Sequence, residues 1–359
     1  MFTVALVAFI ITYLTTPAVI KLAKRFRLID DPTLRQHPAH THDQPIPRAG
    51  GLAILAGILL PVILFLPINK ALLGIAAASI ITVVIGLFDD YHDLSPYLRF
   101  GLNLVVAAVV VGVGIGIPFI TNPLGDVVKL DTWRLSFVFF GPHSVLVWAD
   151  LFAVIWIVWM MNIVGWSSGV DGQMPGFVVI TCLVLGILAL RFSAHDISQT
   201  TVASLAFITA GAFAGFIPWN FYPQKIMPGY GGKTLAGLLV ATIAILSGGK
   251  VGSALIILSI PILDAVYIMF RRLVQKKSPF QADRSHLHHR LLDSGWGKRR
   301  IALFYWLVSA ILGLVTLFLN SEQKFYLFLL AAGFISGIIL WLNLVKHPWM
   351  DFKKTNKNL

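Results

Sequence analysis

Charge is scarce in this chain. Of its 359 residues, 12% are Asp, Glu, Lys or Arg, 57% are hydrophobic, and the mean hydropathy is +0.82. A soluble domain carries about 25% charged residues, so too little charge is present to cover a water-facing surface, and a soluble globular protein is excluded. Apolar residues dominate nearly everywhere, which excludes intrinsic disorder. Cysteine is almost missing: Cys182 stands alone inside an apolar run, so neither an intramolecular disulfide nor a thiolate metal site is available. Fixed-period repeats and low-complexity tracts are also absent. Acidic residues are few, 16 against 28 Lys and Arg, for a net charge of +12. Such a surplus in a soluble protein suggests nucleic acid. Here it fits cytoplasmic anchoring of membrane helices, and no nucleic-acid partner is expected.

What is present is a series of long apolar runs. Stretches of 17 to 25 apolar residues are long enough to cross about 30 Å of hydrocarbon as helices. Eleven candidates stand out, at about 2–22, 50–68, 71–88, 98–117, 145–162, 175–191, 200–217, 234–248, 251–270, 301–319 and 325–345. Only Gly248-Gly249-Lys250 separates the eighth from the ninth, so a broken helix is allowed there and the count is ten or eleven. The sequence predicts an all-α polytopic membrane protein, a single integral membrane domain over 1–359, with a small external hairpin in the loop 118–144. The first run has no basic residue before it and Lys21 after it, the reverse of a secretory signal. It reads as a retained span with its N-terminus outside. Alternating the loops puts 22 of the Lys and Arg on one side and 6 on the other, which makes the richer face cytoplasmic. The expected location is the inner (plasma) membrane, multi-pass, with the candidate active-site face formed by loops 23–49, 89–97, 163–174, 218–233 and 271–300.

Most of the clustered polar chemistry falls on that face. Asp89-Asp90 ends the third span, where carboxylates are costly to desolvate and therefore functional candidates. Neighbours on a helix do not share a face, whereas Asp89 and Asp93 do, so at most one of the pair points straight into a given pocket. The plain alternative is a solvated helix end with a turn at Ser95-Pro96. His286-Leu-His288-His289-Arg290 gathers three imidazoles and a guanidinium, suited to phosphate contact and proton exchange near pH 7. Zinc is a rival there, but the spacing lacks the usual catalytic ligand set. A basic loop on anionic lipid is the plain alternative. Asn162 ends the fifth span ahead of Ser167-Ser168-Gly169-Val170-Asp171-Gly172, a loop able to line a cavity or simply to turn. Asn220 to Lys225 and Gly229-Tyr230-Gly231-Gly232-Lys233-Thr234 open the eighth span, where backbone N–H groups favour phosphate. A P-loop is rejected, because the glycine it needs five residues before Gly232 is Met227.

Taken together, these segments resemble the polyprenyl-phosphate N-acetylhexosamine-1-phosphate transferases. The match runs from about Lys24 to Leu292 in motif order. His42-Asp-Gln-Pro-Ile-Pro-Arg48-Ala-Gly-Gly51 is similar to the family's first cytoplasmic loop, and Gly86-Leu-Phe-Asp89-Asp90 through Leu94-Ser95-Pro96 to its aspartate-pair motif. Asn220 to Lys225 resembles its Asn-x-x-Pro-x-Lys segment. Ser278-Pro279-Phe280 to the histidines resembles the N-acetylglucosamine branch more than the lipid I branch.

The resemblance implies transfer of an N-acetylhexosamine 1-phosphate from a UDP-sugar to undecaprenyl or another polyprenyl phosphate, with release of UMP, in cell-wall or surface-polysaccharide synthesis. It implies catalytic roles for Asp89, Asp90, His286, His288 and His289. Substrate binding would fall to Arg48, Asn162, Asp171, Asn220, Lys225, Lys233 and Arg290, with Asp171 at the uracil end. It also implies a homodimer and a Mg²⁺ ion. The family's metal-binding Asn and Asp align with Gly165 and Tyr230, and another of its Asp residues aligns with Ser168. No metal ligand is therefore assigned, and Lys233 is expected to take over part of the cation's work at the diphosphate. Two alternatives accompany this reading: a catalytically impaired homologue that binds the lipid phosphate or a partner, and a transporter. The transporter predicts polar residues near mid-span, where Thr82, Asn103, Thr209 and Asp264 are the candidates.

Overall fold

The computed structural model describes residues 1–34, 40–122, 125–138, 142–192, 198–248, 250–278 and 284–345. Pro279 and Phe280 of the histidine segment lie outside these, as do Arg35, Lys346, Lys353, Lys354 and Lys357 of the orientation count.

The chain opens with α1 (Phe2–Arg25), then a two-residue pairing of β1 (Ile29–Asp30) with β2 (Ile46–Pro47), and α2 (Gly50–Phe65). Helix α3 (Lys70–His92) begins where the Asn69 side chain accepts from Leu72 N at 2.9 Å, satisfying one of the free donors of a first turn. It stops at Asp93, which is left-handed at φ 53°. Ser95 then caps α4 (Pro96–Gly112), with Pro96 in the first turn, where its missing N–H costs nothing. This abrupt stop and restart fixes where Asp89 and Asp90 leave the helix bundle.

The loop after α4 holds two hairpins where the sequence predicted one. β3 (Phe119–Thr121) pairs with β4 (Val127–Lys129), and β5 (Arg134–Val138) with β6 (Pro142–Leu146), both antiparallel. Asn122 and Gly125 turn the first. The turn signals at the two ends of the loop thus belong to separate hairpins. Then follow α5 (Val147–Trp166), α6 (Gln173–Leu190), α7 (Ser198–Asn220), α8 (Gly229–Leu246), α9 (Val251–Ile257), α10 (Ser259–Val274), the short α11 (Leu287–Asp293), α12 (Lys298–Thr316) and α13 (Ser321–Val345).

The protein is an all-α polytopic membrane protein. Among the described residues eight helices are long and apolar enough to cross a membrane, and α9 with α10 makes a ninth span bent by 82°. Helices α2 and α4, of 16 and 17 residues, are shorter apolar helices. All eleven apolar runs therefore lie on helices. The bend has a local cause. Pro261 carries no N–H for the carbonyl of Ile257, and its ring collides with that carbonyl in a straight helix. The Ser309 hydroxyl donates to Ile257 O at 3.0 Å instead, which satisfies a carbonyl that lipid could not.

Helix α8 is the hub, packed against α3, α5 and α2. It is buried because its crossing points are glycines. Gly86 of α3 meets Gly231, and Gly51 of α2 meets Gly232, the small-residue contact that lets membrane helices approach backbone to backbone. This packing carries the start of α8 into the space between the ends of α3 and α5.

Candidate functional site

At these helix ends the chain encloses a cavity of about 570 Å³. Its polar walls come from five places: Asp30, His40, His42 and Arg48 of the first loop; Asp89, Asp93 and Arg99 around the α3–α4 turn; Asn162 and Gly165 of α5; Tyr230 and Lys233 of α8; and Arg272 with His286, His288 and His289.

The aspartate pair divides. Asp89 is buried and lines the cavity, paired with Arg99 Nε, while Arg99 Nη2 reaches Asp93 at 2.6 Å. Asp90 sits behind it, accepting from the backbone N–H of Tyr230 at 3.1 Å and from Arg48 Nη2 at 2.9 Å. Arg48 also faces Asp30 Oδ1 at 3.7 Å. Burial alone would raise the Asp30 carboxyl, but the His42 hydrogen bond and the Arg48 and His40 charges hold it down to about 2. Asp30 is thus an anion, and Arg48 stands between it and the Asp90 carboxyl.

The histidine segment hangs from α10. His286 Nδ1 donates to Asp264 Oδ2 at 2.8 Å and Leu287 N to Asp264 Oδ1 at 2.9 Å. Asp264, buried just after the 82° bend, anchors the first turn of α11. The His286 and His288 rings stack at 5.6 Å, and a Cβ on Gly169 would lie 2.1 Å from His288 Nε2, so only glycine leaves room for that ring. Burial, then the neighbouring His289, His286 and Arg284 charges, pushes the His288 pKa well below 6.5. The unfolded chain therefore binds a proton below about pH 6.5 that the folded chain refuses. Stability should fall as pH drops through that value, by up to about 1.4 kcal/mol per pH unit. Thermal unfolding of wild type and His288→Gln between pH 5.5 and 7.5 checks this, since the variant should lose less stability on the acid side; parallel curves would refute it.

Asn220 and Asp171 join two loops. Asn220 Oδ1 accepts from Gly172 N at 3.0 Å and its Nδ2 donates to Ile226 O at 2.9 Å. Asp171 does not line the cavity; it accepts from Gln224 N at 3.3 Å and faces Lys298 Nζ at 3.3 Å. Asn162 and Lys233 line it. Lys225 does not: it is exposed and lies over the Trp219 ring at 5.2 Å. Arg290 donates from Nε to Ser285 O at 2.8 Å and is no wall residue either. Arg99, Arg272 and Asp30 line the cavity although sequence reasoning did not select them. Of these, Arg99 carried a readable signal, a guanidinium in the first turn of α4 directly after the acidic pair.

The Mg²⁺ ion implied by the resemblance would rest on positions 165 and 230. Gly165 brings no donor, and a Cβ there would sit 3.7 Å from the Lys233 stem. The Tyr230 hydroxyl donates to Asn103 Oδ1 at 3.3 Å, and its ring is approached by two cations, Arg99 at 5.4 Å and Lys233 Nζ at 5.6 Å. A hard divalent cation wants carboxylate and phosphate oxygens, so these residues do not fit it. A separate group, Asp30, His40 and His42, brings ligand atoms within 4.8 Å of one another.

Residues 72–248 match the family model described as glycosyl transferase family 4. Over those residues the chain is similar to that family, and it is a membrane-embedded transferase. Among curated relatives, it is 28% identical to the probable undecaprenyl-phosphate N-acetylglucosaminyl 1-phosphate transferase of Bacillus subtilis (strain 168), over 98% of this chain and 96% of the relative. It is also 28% identical to the decaprenyl-phosphate N-acetylglucosaminephosphotransferase of Mycobacterium leprae (89% and 84% covered). The undecaprenyl-phosphate alpha-N-acetylglucosaminyl 1-phosphate transferase of Escherichia coli (strain K12) is 28% identical as well (92% and 86%).

Proposed function

We propose that the chain transfers an N-acetylhexosamine 1-phosphate, with N-acetylglucosamine first among the sugars, from its UDP derivative to a polyprenyl phosphate on the cytoplasmic side of the plasma membrane. An oxygen of the lipid phosphate forms a bond to the sugar-bearing phosphorus, the bond from that phosphorus to the bridging oxygen breaks, and UMP leaves with that oxygen. The observation that carries this reading is the meeting of Arg48, Arg99, Lys233 and Arg272 with three histidines and Asp89 in one cavity. Phosphoryl transfer depends on positioning and charge stabilisation, and these groups supply both.

Asp89 Oδ2 is buried with no hydrogen-bond partner, so it is placed to orient the lipid phosphate or accept its residual proton. A phosphomonoester with its second pKa near 6 is already mostly dianionic at pH 7, and no strong base is required. Lys233 brings an ammonium group to the diphosphate, beside Gly165. Reconstitution in liposomes containing polyprenyl phosphate, with radiolabelled UDP-N-acetylglucosamine, tests the activity: labelled lipid and free UMP are expected. Binding without labelling, across several UDP-N-acetylhexosamines, would overturn it. In the same assay Lys233→Met should lower kcat/KM by about 10- to 100-fold, the weight of a charge-assisted phosphate contact. An unchanged kcat/KM would remove Lys233 from the site.

A further inference from the structure

The first loop carries a second chemistry that phosphoryl transfer does not use. Asp30 presents its two oxygens to two different imidazoles, Oδ1 to His40 Nε2 at 3.4 Å and Oδ2 to His42 Nε2 at 3.4 Å. Hydrogen-bonding logic fixes the state of His42. Its Nδ1 lies 2.9 Å from the carbonyl of Gln44, and a carbonyl only accepts, so Nδ1 carries the proton. In the neutral ring Nε2 is then a bare lone pair aimed at a carboxylate oxygen, two acceptors facing each other. Something positive must lie between them: either a second proton on His42 or a metal ion.

Three features favour the metal. One ligand atom from each of the three side chains lies within 4.8 Å of the others, and each Nε2 stands 3.4 Å from one carboxylate oxygen. That is close to the roughly 3.3–3.4 Å between two donors at about 2.0–2.1 Å on a tetrahedral ion, so a small turn of the carboxylate brings one oxygen to both rings. A metal-ligating histidine commonly donates its other N–H to a backbone carbonyl, as His42 does to Gln44. Asp30 Oδ1 is buried and makes no hydrogen bond; its neighbours are His40 and Arg48, the latter at 3.7 Å. We propose that Asp30, His40 and His42 bind one zinc-class transition-metal ion on the rim of the cavity. Two imidazoles and one carboxylate select such an ion over Mg²⁺ or Ca²⁺, and water completes its coordination. Between the two histidines, Thr41 Oγ1 donates to Gly169 O at 2.9 Å. A bound ion therefore ties the first loop to the loop that makes room for His288, and leaves Arg48 to Asp90.

The test uses the full-length protein in detergent, without a histidine tag, stripped by chelator and titrated with Co²⁺. Wild type should take up one equivalent with the visible d–d absorption of a low-coordinate site, and Zn²⁺ should bleach it. His40→Ala/His42→Ala should lose saturable uptake, as should the milder His42→Gln, with folding checked by the inaccessibility of buried Cys182 to a thiol dye. His288→Ala/His289→Ala should keep it. The proposal is overturned if wild type shows no saturable equivalent, which leaves protonated His42 as the bridging group. It is equally overturned if uptake survives the loop substitutions or disappears only with the His288/His289 pair. The readout is metal content and colour, so it is decided independently of whether the protein transfers a sugar phosphate.

Discussion

Gly86→Ala is expected to unfold or inactivate the protein. A Cβ at this position would lie 2.1 Å from Gly231 Cα and 2.2 Å from Gly231 N. Both are backbone atoms of the central helix, so no side chain can rotate away and α3 must move off α8. Overpacking a core costs typically 1–3 kcal/mol and sometimes more; with backbone on both sides the expected loss is about 3 kcal/mol or more. The shift also pulls Asp90 from the Tyr230 N–H, one turn further along. Gly101→Ala in α4 is the control, because nothing lies within 4 Å of its Cβ and alanine is the better helix former. The single, buried Cys182 reports unfolding through a thiol-reactive dye. A Tm for Gly86→Ala within about 1 °C of wild type, under about 1 kcal/mol for a chain of 359 residues, would contradict this helix contact.

Asp264→Ala should abolish most of the transfer activity while leaving the bundle assembled. Its carboxylate accepts from both His286 Nδ1 and Leu287 N, and removing a buried acceptor costs about 1–3 kcal/mol for each donor left unpaired. The cheapest relief is for α11 to detach and take three imidazoles from the cavity, so a fall of about 100-fold in kcat is expected. Asp264 acts through His286 as a positioning residue. Asp264→Asn keeps an oxygen for Leu287 N and should recover part of the rate with an altered pH profile. Wild-type kcat in Asp264→Ala would end this role.

The order of helices was legible because apolar length is a local property. So was the gap after α3, written in Ser95 and Pro96. The sequence could say that only one of Asp89 and Asp90 meets the cavity, since adjacent residues diverge on a helix; which one depends on where Tyr230 N arrives from α8, 140 residues later. Asp264 was visible as a mid-span carboxylate, the signal of a transporter, but its partner lies 22 residues on, past the end of α10. Asp30 had no periodic or motif signal, as its worth comes from the return of the loop through His40 and His42. Lys225 was selected by segment similarity, and nothing local reveals that its ammonium rests on Trp219.

The bend at Pro261 sets a requirement on spacing as well as on residue type. From Leu258, where the helix restarts, to Asp264 is less than two turns, and each residue added or removed there rotates the carboxylate by about 100°. The proline, the Ser309 hydroxyl that completes its turn and the acid that grips the histidine segment thus form one measured interval, and a change of length would defeat it even with every residue type kept.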